Sequence, residues 1–167
     1  MCGRFARFAG RASLEELFGI PLLLPAEPRF NIAPGQAALA VRRDAAGAHE
    51  FAPAQWGFNL RRADGRRSML INARSESAAA KPAFQESFRR RRCLIPADGF
   101  FEWSPGPAKR PFFIHRADHR CLALAGLWRL ERERGGEAAH FTILTRDADA
   151  PLQVIHDRMP VIVPREA

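Results

Sequence analysis

The sequence predicts an α+β domain whose short strands close, or nearly close, into a barrel. Three observations predict it. Short apolar runs recur along the chain, bounded by glycine, proline and aspartate. Only two or three segments carry a helical pattern, so strands dominate. The 167 residues are 47% hydrophobic, enough for one domain with a real core and too apolar for disorder.

The elements follow in chain order. Ser13-Leu14-Glu15-Glu16 has capping-box spacing; Leu14, Leu17 and Phe18 form an apolar helix face and Gly19 ends it. Residues 21–34 are proline-rich and read as an ordered loop. Residues 37–42 and 50–56 read as strands around an Ala45-Ala46-Gly47 turn, and 68–73 as another. Pro82 suits the first position of a helix that sets Phe84 and Phe88 four apart on one face. Residues 93–96 and 99–103 flank an Asp98-Gly99 hairpin signal. Strands are expected at 111–115, 121–128 and 140–145, a short helix at 148–154 and a last strand at 160–163.

Net charge is +8, and of 26 basic residues only Lys81 and Lys109 are lysine. Arginine suits bidentate phosphate contacts and stacking on bases, so nucleic acid is the partner the charge favours. A biased composition, rich in Ala, Arg, Gly and Pro with no tyrosine, is the alternative source of that charge. No apolar run approaches a membrane span or a signal peptide, so a cytoplasmic protein, nucleoid-associated when on DNA, is expected. Cys2, Cys93 and Cys121 are odd in number and widely spaced, unlike a disulfide framework or a zinc site. His115 and His119 are four apart across a turn-like segment, a poor metal pair, and no metal or other cofactor is expected.

Cys2 is the most informative residue. Loss of Met1 would give it both a free α-amine and a thiol, titrating near ~8 and ~8.5. An amine captures an aldehyde as a Schiff base, and the thiol can then close a five-membered ring. Alternatively the thiolate attacks an acyl group, with the amine as base. A frayed terminus with an incidental cysteine is the plain alternative. Glu102 alternates with Phe101 and Trp103 and so shares a face with Phe100. In a half-buried cleft it would be a proton donor or acceptor; on an exposed face it is a solvated glutamate. His156, in Ile155-His156-Asp157-Arg158, sits at a loop-to-strand junction and is either a site residue or a structural histidine. Asn72 and Arg74 leave an apolar strand. They suit a substrate-positioning amide and a phosphate contact, or a helix cap. Trp56 and Phe58 could stack on bases or fill a core. The arginine run 89–92 reads as a solvated helix end.

Taken together, several segments are more specific than any one. Met1-Cys2-Gly3-Arg4-Phe5, Phe30-Asn31-Ile32-Ala33-Pro34, Trp56-Gly57-Phe58, Asn72-Ala73-Arg74-Ser75-Glu76, the run 93–103, Leu124-Ala125-Gly126-Leu127-Trp128 and Ile155-His156-Asp157-Arg158-Met159-Pro160 occur in this order. The series closely resembles the SRAP (SOS-response-associated peptidase) family. The resemblance implies a β-barrel of short, mostly antiparallel strands with a few flanking helices. It implies one domain over residues 1–167, lacking the C-terminal part usual in that family. It implies binding of single-stranded DNA by a monomer and capture of abasic sites by mature Cys2 as a thiazolidine crosslink, with self-processing that removes Met1. It assigns Cys2 as nucleophile, Asn72 to positioning the sugar, and Glu102 and His156 to acid–base steps. Arg4, Arg74 and Arg158 would meet phosphates, and Pro34, Trp56 and Phe58 would stack or wedge beside the lesion. Two readings from other classes compete: an N-terminal-nucleophile hydrolase or amidotransferase, and a noncovalent reader of single-stranded DNA.

Overall fold

A ring of five strands forms the centre of the computed structural model, which describes residues 2–61 and 64–165. The ring strands are β3 (Ala37–Arg43), β4 (His49–Trp56), β8 (Arg92–Ala97), β11 (Leu122–Glu133) and β12 (Gly136–Asp147). They pair in the order β12-β4-β3-β8-β11, and β11 pairs back onto β12. A ring with an odd number of strands cannot be antiparallel throughout. The parallel contact is β4–β12, where Gln55 faces His140 and Trp56 faces Phe141. Closure removes the open edges that a flat sheet would expose.

A second sheet leans on the barrel. Its order is β10 (Pro111–His115), β9 (Gly99–Trp103), β1 (Phe5–Arg7) and β2 (Arg29–Ile32), and every pairing is antiparallel. Its inner face contributes Phe5, Ile32 and Phe100 to one core cluster with Trp56, Ile95, Leu124, Phe141 and Ile143. The Phe5 and Trp56 rings meet edge-on at 5.2 Å, and Trp56 stacks parallel to Phe141 at 6.1 Å. Such ring pairs add ~0.5–1.5 kcal/mol each beyond area burial. A smaller cluster of Phe58, Ala73, Phe84, Leu127 and Leu144 lies beneath β5 (Phe58–Arg61), β6 (Arg67–Leu70) and β7 (Asn72–Arg74).

Several local expectations are corrected. Helix α1 (Arg11–Phe18) begins before the capping-box serine, with Gly10 as its N-cap. The Glu15 carboxylate accepts the Leu22 N–H at 2.8 Å and lies 3.9 Å from the Arg11 guanidinium. Gly19 does end the helix, in the left-handed region at φ 66°. The proline-rich segment yields strand β2 from residue 29 onward. The 68–73 run breaks at Ile71, because β6 pairs with β5 whereas β7 pairs parallel to β12. Helix α2 (Ser75–Ala78) follows directly, and α3 (Gln85–Arg90) starts beyond Phe84, not at Pro82. Phe84 and Phe88 nevertheless pack in one cluster.

Asp98-Gly99 is not a hairpin but the corner where the chain leaves the barrel for the second sheet. The Asp98 carboxylate anchors it by accepting the Phe8 and Ala9 N–H groups. At Gly99 a Cβ would fall 2.5 Å from the Phe113 ring and 2.6 Å from the Ile114 carbonyl, so only glycine fits. The β11–β12 hairpin extends beyond the apolar 121–128 and 140–145 cores into a charged, solvated tip. Arg92 belongs to β8 and donates to the Phe88 and Arg89 carbonyls at 3.0 Å, closing the end of α3. The last segments are α4 (Ala150–Gln153), β13 (Arg158–Pro160) and β14 (Ile162–Val163).

Candidate functional site

The chain start is drawn into the fold by the β1–β9 ladder. Phe5 pairs with Phe100, and the Phe101 N–H donates to the Arg4 carbonyl at 2.8 Å. That bond carries residues 2–4 alongside the second half of β9. Strand alternation does the rest: Phe100 and Glu102 face inward, while Trp103 faces outward. The start of the chain and the Glu102 carboxyl therefore share one interior corner.

Cys2 is fully buried there, with Sγ 3.8 Å from the Arg4 carbonyl. Burial, aided by the negative charge of Glu102, pushes its thiol up to about 12. The Asn72 amide donates from Nδ2 to the Cys2 carbonyl at 2.8 Å. Asn72 opens β7, whose parallel pairing with β12 (Asn72 beside Ile143) fixes that amide. The Asn72 Oδ1 is buried and accepts no hydrogen bond among the described residues, so it remains an acceptor facing the site.

Glu102 is 3% exposed. Burial raises its carboxyl above the usual carboxylate range, and the positive charge offered by His156 opposes that rise. Glu102 and His156 line one closely packed recess with Phe100, Ile114, Ile155 and Met159. The His156 Nδ1 lies 3.0 Å from the Arg158 N–H and 2.7 Å from the Asp157 carboxylate. A neutral ring accepts from the former; a ring protonated at Nδ1 donates to the latter. The geometry thus serves both protonation states of the imidazole.

The remaining predicted residues divide. Arg4 binds the Asn31 Oδ1 through Nη1 at 2.9 Å. Arg74 is exposed at the end of β7. Pro34 stands in the turn after β2, which the Gly35 N–H pins to the Trp56 carbonyl at 2.7 Å. Trp56 and Phe58 have no exposed surface. Trp56 donates from its indole to the Ile71 carbonyl at 2.9 Å and packs between Phe5 and Phe141. These two rings are core and present no face to a base, which corrects their assignment to stacking. Arg158 is likewise not aimed at a phosphate: it is 8% exposed and grips both Glu76 oxygens at 2.9 Å, with Asp147 and the Thr145 carbonyl as further acceptors. It ties α2 to β12 and β13. Sequence reading missed Glu76, Asp147 and Asn31 as partners, because contacts 27 and 82 positions apart carry no local signal.

Met1, whose removal was expected, lies outside the described residues. Among the described residues no group of His, Cys, Asp and Glu could hold a metal ion, and no helix is long and apolar enough to cross a membrane.

The fold and the site define a β-barrel protein with an amide and a buried carboxyl gathered at Cys2 and an imidazole beside that carboxyl. The chain belongs to the SOS response associated peptidase (SRAP) family, whose model matches residues 1–167. It is 38% identical to the abasic site processing protein YedK of Escherichia coli, over all of this chain and 77% of that protein. It is 33% identical to the abasic site processing protein YoqW of Bacillus subtilis, over 99% of this chain and 77% of that one. Among solved structures, a phage-related protein of Bordetella bronchiseptica aligns at TM-score 0.79 and 34% identity, covering 99% of this chain and 78% of that chain.

Proposed function

We propose that this protein captures abasic sites in single-stranded DNA through Cys2, forming a thiazolidine crosslink. The observation that carries this reading is the Asn72–Cys2 hydrogen bond beside the buried Glu102 carboxyl. It holds a terminal 1,2-aminothiol, once Met1 is hydrolysed away, next to a proton-transfer group. The names of YedK and YoqW as abasic site processing proteins support the substrate.

The steps balance without an oxidant or a metal. His156 gives a proton to the ring oxygen of the closed abasic sugar as the C1′ hydroxyl releases its proton to water, and the ring C–O bond breaks to free the C1′ aldehyde. The Cys2 amine adds to that carbon. Glu102, whose carboxyl burial raises, gives a proton to the carbinolamine hydroxyl, which leaves as water as the nitrogen lone pair forms the C=N bond, and the resulting carboxylate takes the iminium proton back. The thiol then adds across the resulting C=N bond, and its proton ends on nitrogen. Asn72 holds the Cys2 backbone so that amine and thiol approach the same carbon. Arg4 and Arg74 supply phosphate contacts, and Arg158 positions the His156 loop through Glu76 and Asp147. Affinity from arginine–phosphate contacts weakens steeply with salt.

The test uses protein shown by intact mass to lack Met1 and an oligonucleotide with one abasic site. A denaturing gel shows a slow band, and the adduct mass equals protein plus DNA less one water. A tetrahydrofuran analogue, which has no aldehyde, gives no band. Absence of adduct from Met1-free protein, or a stable band that survives Cys2→Ala, overturns the reading. Glutaminase activity without an adduct supports the amidotransferase class instead.

A further inference from the structure

We infer that the outer face of the four-stranded sheet β10-β9-β1-β2 is the stacking platform for unpaired bases as the DNA strand runs away from the lesion. This inference rests on the proposed function for its partner and concerns a surface outside the Cys2 pocket.

The rings themselves come first. Phe30 stacks on Phe8 with centroids 5.4 Å apart; Phe8 meets Phe113 at 6.5 Å. Phe113 contacts Phe101 at 4.9 Å and stacks on His115 at 5.5 Å, which in turn stacks on His119 at 4.8 Å. These rings form a continuous ladder across three strands and the loops that follow β1 and β10. They are not core: Phe30 is 66% exposed, Phe8 39% and Phe113 37%. Leaving such rings partly in water forgoes a share of the roughly 1.5–3 kcal/mol that full burial gives. A contiguous exposed apolar face of this kind marks an interaction site.

The register explains why the rings align. Phe113 faces Phe101 and His115 faces Gly99 across β9–β10, so all four positions share one side of the sheet. Gly99 lacks the Cβ that would strike the Phe113 ring, which lets that ring lie flat on the β9 backbone. Strand β1 continues the same face: Ala6 stands opposite Gly99, and the Arg4 carbonyl takes the Phe101 N–H. Arg4 therefore lies two residues from Cys2 and at the near end of the ladder.

Charge selects the occupant. Lys109 and Arg110 precede β10 and Arg120 follows it, all exposed. Arg29 stands at the β2 end of the sheet. A flat aromatic face rimmed by cations matches a single strand, whose bases stack on rings while its phosphates meet arginine. The net charge of +8 agrees with that partner. The face also supplies what Trp56 and Phe58, sealed in the core, do not.

The test reads noncovalent binding of a fluorescein-labelled oligothymidylate about 15 nucleotides long, a span of roughly one to a few stacking sites with no lesion, by anisotropy. The platform predicts that Phe8→Ala with Phe30→Ala raises Kd at least tenfold, as losing two stacked bases at ~1–3 kcal/mol each requires. Phe8→Leu with Phe30→Leu, which keeps apolar bulk, weakens binding as well. Phe30→Trp provides a second measurement independent of truncation: the unlabelled oligothymidylate quenches the emission of the introduced indole in proportion to binding. Crosslinking to an abasic oligonucleotide at saturating DNA stays at the wild-type yield in all variants, since the Cys2 pocket is untouched. Wild-type oligothymidylate affinity in folded variants, with no quenching in the Phe30→Trp protein, overturns the platform. A change in oligomeric state on gel filtration with unchanged oligothymidylate binding also overturns it, in favour of a contact between copies. No crosslinking by the Met1-free wild type, with ring-dependent oligothymidylate binding present, would sink the proposed function and leave the platform standing; loss of crosslinking only in the ring variants would overturn the separation of platform and Cys2 pocket.

Discussion

The Asn72 side-chain amide donates to the Cys2 main-chain carbonyl at 2.8 Å, joining residues 70 positions apart. That bond fixes the direction in which the Cys2 backbone points. Asn72→Ala removes it at a stability cost of about 1 kcal/mol. The larger expected effect is on reaction rate, because a reacting group misplaced by ~1 Å loses on the order of 100-fold. Single-turnover crosslinking with saturating abasic DNA should therefore slow by roughly 10- to 100-fold, with noncovalent affinity unchanged. An equal loss in affinity and rate would make Asn72 a DNA contact and not a positioning residue.

Glu102 gives a pH dependence in two observables. Its carboxyl is raised by burial, so the folded chain keeps a proton that the unfolded chain releases in the ordinary range near ~4.3. Where the folded state binds more protons, stability falls as pH rises. The Glu102 contribution is therefore most favourable below the ordinary carboxylate range and declines as pH climbs to the raised value. Glu102→Gln should flatten this decline in Tm against pH. The crosslinking rate should lose its descending limb over the same interval and drop throughout. Superimposable Tm profiles for wild type and Glu102→Gln would show that burial does not hold the proton.

That Glu102 shares a face with Phe100 was legible because strand alternation in Phe100-Phe101-Glu102-Trp103 is a local rule; that this face is the interior was not, because it depends on the sheet packed against it. So was the end of α1, since Gly19 supplies the left-handed backbone that ends a helix. Strands β1 and β2 were not legible. Three residues, Phe5–Arg7, give too short a pattern, and the prolines before Arg29 read as loop. The family motifs led to Cys2, Asn72, Glu102 and His156, and the fold brings Asn72 and Glu102 up to Cys2 and His156 into the Glu102 pocket. Motifs do not reveal burial, however. Trp56 and Phe58 share one segment with a glycine whose φ of 120° turns the chain, and both rings fall inside. Arg158 reads as a phosphate ligand until Glu76, 82 positions away, folds onto it.

The Arg158 cluster contributes to the acid sensitivity of the fold. Glu76 is held down to about 2, chiefly by its paired hydrogen bonds to Arg158. A depressed carboxyl contributes stability that is complete above its ordinary value near ~4.3 and lost as pH falls toward the depressed one. Wild-type Tm should therefore fall between pH ~4.3 and about 2 more steeply than that of Glu76→Gln. Arg158→Ala should lower Tm at pH ~7 by roughly 3–8 °C, typical for lost buried hydrogen bonds in a domain of this size. Arg158→Lys should not restore it, since a single ammonium cannot grip both Glu76 oxygens. Parallel pH profiles for wild type and Glu76→Gln would remove the cluster from the stability account.

The order of bond formation at Cys2 follows from its burial. With the thiol pushed up to about 12, far less of it is thiolate at pH ~8 than of a free cysteine, which titrates near ~8.5. The α-amine, titrating near ~8 in its free form, is the more available nucleophile once Met1 is gone. Imine formation should therefore precede sulfur addition. Cys2→Ala protein, with Met1 removed and its mass confirmed, keeps the amine and lacks the thiol. It should give no stable band with abasic DNA alone, yet give one when borohydride reduces the imine to an amine. The order itself is read in the wild type: early borohydride quenching should trap the imine as an amine before the ring closes, whereas a thiol-first path, through a hemithioacetal, predicts no trapped amine there. The same burial predicts that Ellman's reagent reacts slowly with the native chain and counts all of Cys2, Cys93 and Cys121 once guanidinium unfolds it, since each is buried in the native state. Fast native labelling of Cys2 would mean that its thiol is reachable without the amine, and the amine-first order would lose its physical basis.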